Sequence, residues 1–208
     1  MNKLLSILSC IALLFVLVGC VSPMMTQVAS QEIRPPVNDK VKVVFMRRTI
    51  FRGDGLGADL FEVIDGDLKF IGVLAAGTKI VYETTPGQEK VFMAVGNGAD
   101  FMLGKLAGGK IYYSMVSPGY MNMIPRPVKV NANEREVSMA SPDFASWVKD
   151  TKLIAPKAEA QDWFSQEKDR YQEIYKDYWA RFQGKTPTEK AERTLNPEDG
   201  GECQEFCV

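Results

Sequence analysis

Residues 59–120 read DLFEVIDGDLKFIGVLAAGTKIVYETTPGQEKVFMAVGNGADFMLGKLAGGKIYYSMVSPGY, and this stretch decides the fold. It divides into short runs: Asp59–Asp65, Leu68–Leu74, Thr78–Thr84, Gln88–Gly96, Phe101–Leu106 and Lys110–Ser117. In the third run Ile80 and Tyr82 alternate with Lys79, Val81 and Glu83; in the fourth Val91, Met93 and Val95 alternate with Phe92 and Ala94. A period of two sends successive side chains to opposite faces of a strand. The runs are separated by Asp65-Gly66-Asp67, Ala76-Gly77, Pro86-Gly87, Gly96-Asn97-Gly98 and Gly108-Gly109. Asp-Gly suits a tight hairpin that needs positive φ, and Pro-Gly suits a type II turn. Short strands joined by such turns predict an antiparallel β-sandwich.

Working outward, Val41–Thr49 (VKVVFMRRT) predicts the first strand, with apolar residues on both faces, as in a strand covered on both sides. Ile50 to Ala58 is a Gly-rich loop, and Arg126–Asn133 predicts a last strand, with Pro125 and Pro127 marking its start or an edge. These elements define a β domain over residues 40–135.

A helical extension is expected over 136–184. Ser141-Pro142 reads as a cap followed by proline at the first helical position, with Phe144, Trp147 and Val148 on one face. A longer helix is predicted from Pro156 to Gln183, ended by Gly184. At 100° per residue, Ala160, Trp163, Phe164, Tyr171, Ile174, Tyr175, Tyr178, Trp179 and Phe182 form one stripe. Packing against the β domain or a neighbouring helix is the first reading of that stripe. A partner-binding face made of Trp163, Phe164, Tyr171, Tyr175, Tyr178, Trp179 and Phe182 is the second. Glu167 falls inside the stripe and is expected at its edge, or paired with Arg170 or Lys168. Over 185–208 a short helix and polar tail are expected; Thr186-Pro187-Thr188-Glu189 is a capping-box pattern opening a helix to Leu195. The predicted fold class is therefore α+β, an antiparallel β-sandwich followed by a C-terminal helical extension.

At the other end, residues 1–19 read as a signal peptide. Lys3 supplies the positive charge and Leu4–Val18 an apolar segment of about fifteen residues, short for a membrane span. Leu17-Val18-Gly19-Cys20 resembles the lipobox of bacterial lipoproteins, which implies acylation of Cys20 and a membrane attachment through that lipid. Val21 follows rather than Asp, so the outer membrane is the favoured address. Residues 20–39 contain Pro23, Pro35 and Pro36 and show no periodicity, which predicts a flexible tether spanning roughly 25 Å.

The 208-residue chain has no histidine, which removes histidine-based triads, histidine zinc motifs and imidazole proton shuttles. A net charge of −1 gives no basic field for nucleic acid. Outside the cytoplasm Cys203 and Cys207 are expected to oxidise to a local disulfide. Their spacing is not that of a redox motif, and two thiols alone make a poor zinc site. Asp54, Asp59, Asp65 and Asp67 are explained as turn formers before calcium ligands, and Gly53-x-Gly55-x-Gly57 lacks the spacing of a dinucleotide loop. Arg52-Gly53-Asp54 is an integrin-type tripeptide that any glycine turn can contain. Glu62 with Asp65 is an acid pair whose use in hydrolysis depends on a separation the sequence does not supply. No catalytic residue, metal or cofactor is assigned.

Residues 41–118 resemble an uncharacterised bacterial lipoprotein family carrying a small β-sandwich of transthyretin-like or carboxypeptidase-regulatory-like outline. The resemblance rests on Val44-Phe45-Met46-Arg47, Gly53-Asp54-Gly55-Leu56-Gly57, Val63-Ile64-Asp65-Gly66, Ile71-Gly72-Val73-Leu74, Pro86-Gly87 and Gly108-Gly109-Lys110-Ile111-Tyr112-Tyr113. Glu89 stands where that family often has histidine, and Met46 where it usually has tyrosine. The family carries no established activity, so the resemblance implies a fold and an address but no site residue. The functional expectation is a non-catalytic, lipid-anchored envelope protein acting as an interaction or structural module toward an envelope partner. A small-ligand or carbohydrate binder using the loops near Gly53–Gly57 and Gly96–Asp100 is the alternative, and an envelope hydrolase ranks third.

Overall fold

The computed structural model describes residues 22–49, 55–130 and 137–202. The leader over residues 1–19, Cys20, the Arg52-Gly53-Asp54 tripeptide, Cys203 and Cys207 lie outside them. Among the described residues twelve strands form two sheets. The first sheet runs, in spatial order, β1 (Met25–Gln27), β11 (Lys152–Pro156), β5 (Thr78–Thr84), β2 (Val41–Arg47), β8 (Ile111–Pro118), β9 (Met123–Lys129) and β10 (Val137–Ser138). The second runs β12 (Thr194–Leu195), β7 (Ala99–Gly104), β6 (Lys90–Val95), β3 (Ala58–Ile64) and β4 (Asp67–Leu74). The helices are α1 (Phe144–Asp150), α2 (Ala160–Gln183) and α3 (Pro187–Glu192), followed by a 3-10 turn at Pro197–Asp199. The fold is thus α+β, two sheets with C-terminal helices.

The turns do what their residues dictate. Asp65 and Gly66 both hold positive φ, 52° and 84°, and fold β3 onto β4 as a tight hairpin. β2 is apolar in both directions because both faces are covered. Val41, Val43 and Phe45 join one buried cluster, and Val44 and Met46 join another. The first cluster also holds residues of the second sheet: Phe45 meets Phe92 edge-on at 5.4 Å. The other cluster lies on the opposite face of β2 and β8, where Phe144 and Val148 of α1 close over it. Pro125 and Pro127 sit on the part of β9 that β10 leaves unpaired, where a missing N–H costs no ladder bond.

Several expectations are corrected. The pairing is not purely antiparallel: β2 with β8, β11 with β5, β10 with β9 and β12 with β7 all run parallel. Local turns fix antiparallel neighbours, whereas these pairings are made by segments distant in sequence. Residues 22–39 are not a free tether. Met25–Gln27 pair with β11, Met25 lodges beside Gly72 and Val73, and Ile33 is buried against the face that α1 covers. Pro156 does not open a helix; it ends β11, because Leu153 and Ile154 fill the uncovered edge of β5, and α2 begins at Ala160. The α1 cap is Asp143 without a side-chain bond, while Ser141 accepts from the Asp143 N–H in the preceding turn. The capping box at Thr186 forms with both bonds, yet its helix stops at Glu192 and Thr194–Leu195 pair with β7. The tail returns once more at Gly201, which bridges Ile111.

Candidate functional site

The aromatic stripe is the first candidate, and packing consumes most of it. Phe164 stacks on Phe70 at 5.5 Å and meets Phe61 at 5.4 Å. Tyr171 lies 4.8 Å from Phe61, and Phe101 takes Trp179 at 5.0 Å and Phe182 at 5.4 Å. Phe164, Tyr171 and Phe182 are buried, so they are not a free partner face; Trp163, Tyr175, Tyr178 and Trp179 are half-buried on the same core. The stripe is also pinned by polar bonds. The Tyr171 hydroxyl donates to Asp59 Oδ2 at 2.7 Å, and Lys168 pairs with Asp67 at 2.9 Å. Burial pushes the Asp59 carboxyl up, against the opposing bond from Tyr171 and the charge of Arg170. Glu167 pairs with Arg170 at 3.1 Å.

Glu62 is the second candidate and is sealed. It is 1% exposed, where β3 faces the first sheet. It accepts from the hydroxyls of Tyr82 and Thr84, and Lys90 Nζ lies 3.6 Å away. Burial, then Glu62, push the Tyr82 hydroxyl far up. A carboxylate enclosed this way holds structure. Asp65 is in the hairpin beyond the end of β3, so the two do not form an acid pair in a cleft. Asp59 sits at the other end of β3 from Asp65 and Asp67, and no group of three or more metal-type ligands gathers among the described residues. Lys79, also buried, donates to the carbonyls of Val148 at 2.6 Å and Thr151 at 2.8 Å, closing the C-terminus of α1, and burial pulls its pKa down.

The third candidate is the end of the sheets where the predicted loops meet. The pairing of Asp59 with Val95 puts Gly55–Gly57 beside Gly96–Gly98, and the parallel register of β2 with β8 brings Arg48 and the β8–β9 hairpin to the same end. That hairpin exposes Tyr120 completely and Met121 by 60%, and Leu56 on the neighbouring loop by 46%. Gly98 has no room for a side chain, since a Cβ there would meet the Tyr178 hydroxyl and the Met121 carbonyl. Gly98 thus lies between Tyr178 of α2 and the backbone of the hairpin. Sequence periodicity could not single out Tyr120 and Met121, because they lie in a turn.

Beside the hairpin, Arg48 and Trp147 divide a cleft. The Arg48 guanidinium lies over the Trp147 ring at 5.0 Å. On one side is a depression of about 160 Å³ lined by Arg48, Met115, Val116, Ser117, Pro118, Val137 and Trp147. On the other, Thr49, Gly77, Ser146, Asp150 and Thr151 line a more polar one of about 210 Å³.

Comparison with known protein families and with curated proteins finds no match for this chain.

Proposed function

We propose that this chain is a lipid-anchored cell-envelope protein, non-catalytic, whose two sheets form a sandwich that presents an interaction surface to an envelope partner. The sandwich is supported by Phe45 against Phe92 and by the Tyr82 and Thr84 hydroxyls reaching Glu62 from the first sheet. The observation that carries the interaction role is the bare tip of the β8–β9 hairpin, with Tyr120 fully exposed and Met121 60% exposed beside it. Exposed apolar residues grouped at one place on a folded domain mark contact sites.

The first paired residue, Met25, and the hairpin tip lie toward opposite ends of the first sheet. Met25 pairs with Pro156, at the end of β11 away from Lys152, which pairs with Thr78 beside Gly77. Pairing with the sheet begins at Met25, so the chain joins the fold well before the end of the expected 20–39 tether. An acylated Cys20 would hold that end at the headgroups, with the loop end about 25 Å farther out along the strands. The outer membrane is the proposed address, and the lipobox resemblance supports it.

Mass spectrometry of the mature product tests the anchor, with acyl mass on Cys20 expected. The surface is tested separately, by a photo-crosslinking residue at Tyr120 against one at Asp65. A discrete envelope partner captured only from Tyr120, and lost with Met121→Ser, is expected; equal labelling from both positions would count against it. A small ligand or carbohydrate at the same loops is the second reading, favoured by the exposed Tyr120 ring next to Gly96–Asp100. Thermal stabilisation by a ligand panel distinguishes it.

A further inference from the structure

We propose that the depression lined by Arg48, Trp147, Val137 and the end of β8 is a binding site for a small monocarboxylic acid with an aromatic or branched apolar body. It is a separate site from the hairpin tip and does not depend on the lipid anchor. Its walls divide by chemistry. Met115, Val116, Pro118, Val137 and Trp147 supply its apolar lining, and Arg48 and Ser117 its polar lining.

The guanidinium rests on the Trp147 ring. Its distance from the ring centre is 5.0 Å, and among the described residues it has no acidic partner within ion-pair distance. A fixed guanidinium presents parallel N–H donors matched to a carboxylate, whereas a mobile one loses entropy on binding. Asp150 lines the more polar depression on the other side of the Arg48–Trp147 pair.

Size narrows the ligand. A void of about 150 Å³ lined by apolar side chains admits benzene. The depression here, about 160 Å³ and open to solvent on one side, is of the same order, with Arg48 available to the carboxylate. Larger ligands would have to project past Pro118 into solvent.

The test is titration of the mature, folded chain with phenylacetate and with its neutral amide, followed by amide chemical shifts and tryptophan fluorescence. The acid is expected to bind at least tenfold more tightly than the amide, with shifts confined to residues 115–118, Val137 and Trp147. Arg48 is exposed, so Arg48→Gln should fold normally and remove the tenfold preference while leaving amide binding unchanged. Trp147→Ala should weaken both probes. Equal binding of acid and amide, an unchanged preference in Arg48→Gln, no binding of the acid at millimolar concentration, or shifts centred on Tyr120 would each overturn the assignment.

Discussion

Replacing Phe164 with alanine separates the two uses of an aromatic helix face. Phe164 is 3% exposed and lies against Phe61, Phe70 and Tyr171. Truncation of a buried phenylalanine costs about 3–5 kcal/mol, combining lost transfer energy with the cavity left behind. Each aromatic pair contributes about 0.5–1.5 kcal/mol of that total beyond its buried area. With a urea dependence of about 2 kcal/mol per molar, the unfolding midpoint should fall by about 1.5–2.5 M at unchanged slope. Trp163, half-buried and meeting Phe70 at 5.8 Å, should cost less when truncated, about 1–2 kcal/mol. A double-mutant cycle of Phe164→Ala with Phe70→Ala should return a coupling of about 0.5–1.5 kcal/mol, since the rings stack directly. The assay is equilibrium urea unfolding followed by far-UV circular dichroism. A midpoint shift under about 0.5 M for Phe164→Ala, joined to loss of partner crosslinking from Tyr120, would refute the packing role and restore the stripe as a docking face.

Three further outcomes follow from the buried groups. Glu62→Leu should cost about 3–5 kcal/mol, because it strands the Tyr82 and Thr84 hydroxyls and Lys90; Glu62→Leu with Tyr82→Phe and Thr84→Val should recover much of that, and a triple variant less stable than the single one would contradict it. Asp59 has its folded pKa raised, so its ionisation subtracts stability as pH rises above the unfolded carboxylate value of 3.8. Asp59→Asn, which still accepts from Tyr171, should therefore gain on the native chain at pH 7 and not at pH 3; equal differences at both values in urea titrations would exclude this origin. Ile33→Ala should destabilise by about 2–5 kcal/mol in thermal unfolding if residues 22–39 are docked, and by almost nothing if they behave as a tether.

Much of the β architecture was legible in residues 41–118. Thr78–Thr84 is a strand over its whole predicted span, and Asp65-Gly66 makes the hairpin its residues call for. The apolar pattern of Val41–Arg47 correctly implied cover on both faces, and Gly184 caps α2. The missed elements are short strands at or next to the sheet edges: β1, β10, β11 and β12 have between two and five residues each. A strand that short carries no readable period, and its existence depends on an open backbone edge supplied by a distant segment. The cleft was invisible for the same reason, since Arg48, Pro118, Val137 and Trp147 come from separate elements.

The sequence by itself determined what depends on neighbouring residues: which segments extend, where the backbone must turn through positive φ, and which helix face is apolar. Those are set by dihedral preference and by the spacing of side chains along one element. The tertiary structure alone decided what each apolar face meets. It turned the stripe of α2 into core, drew the N-terminal segment and the tail into the sheets, and left Tyr120 and Met121 bare. Burial is a relation between surfaces far apart in the chain, so no single segment encodes it.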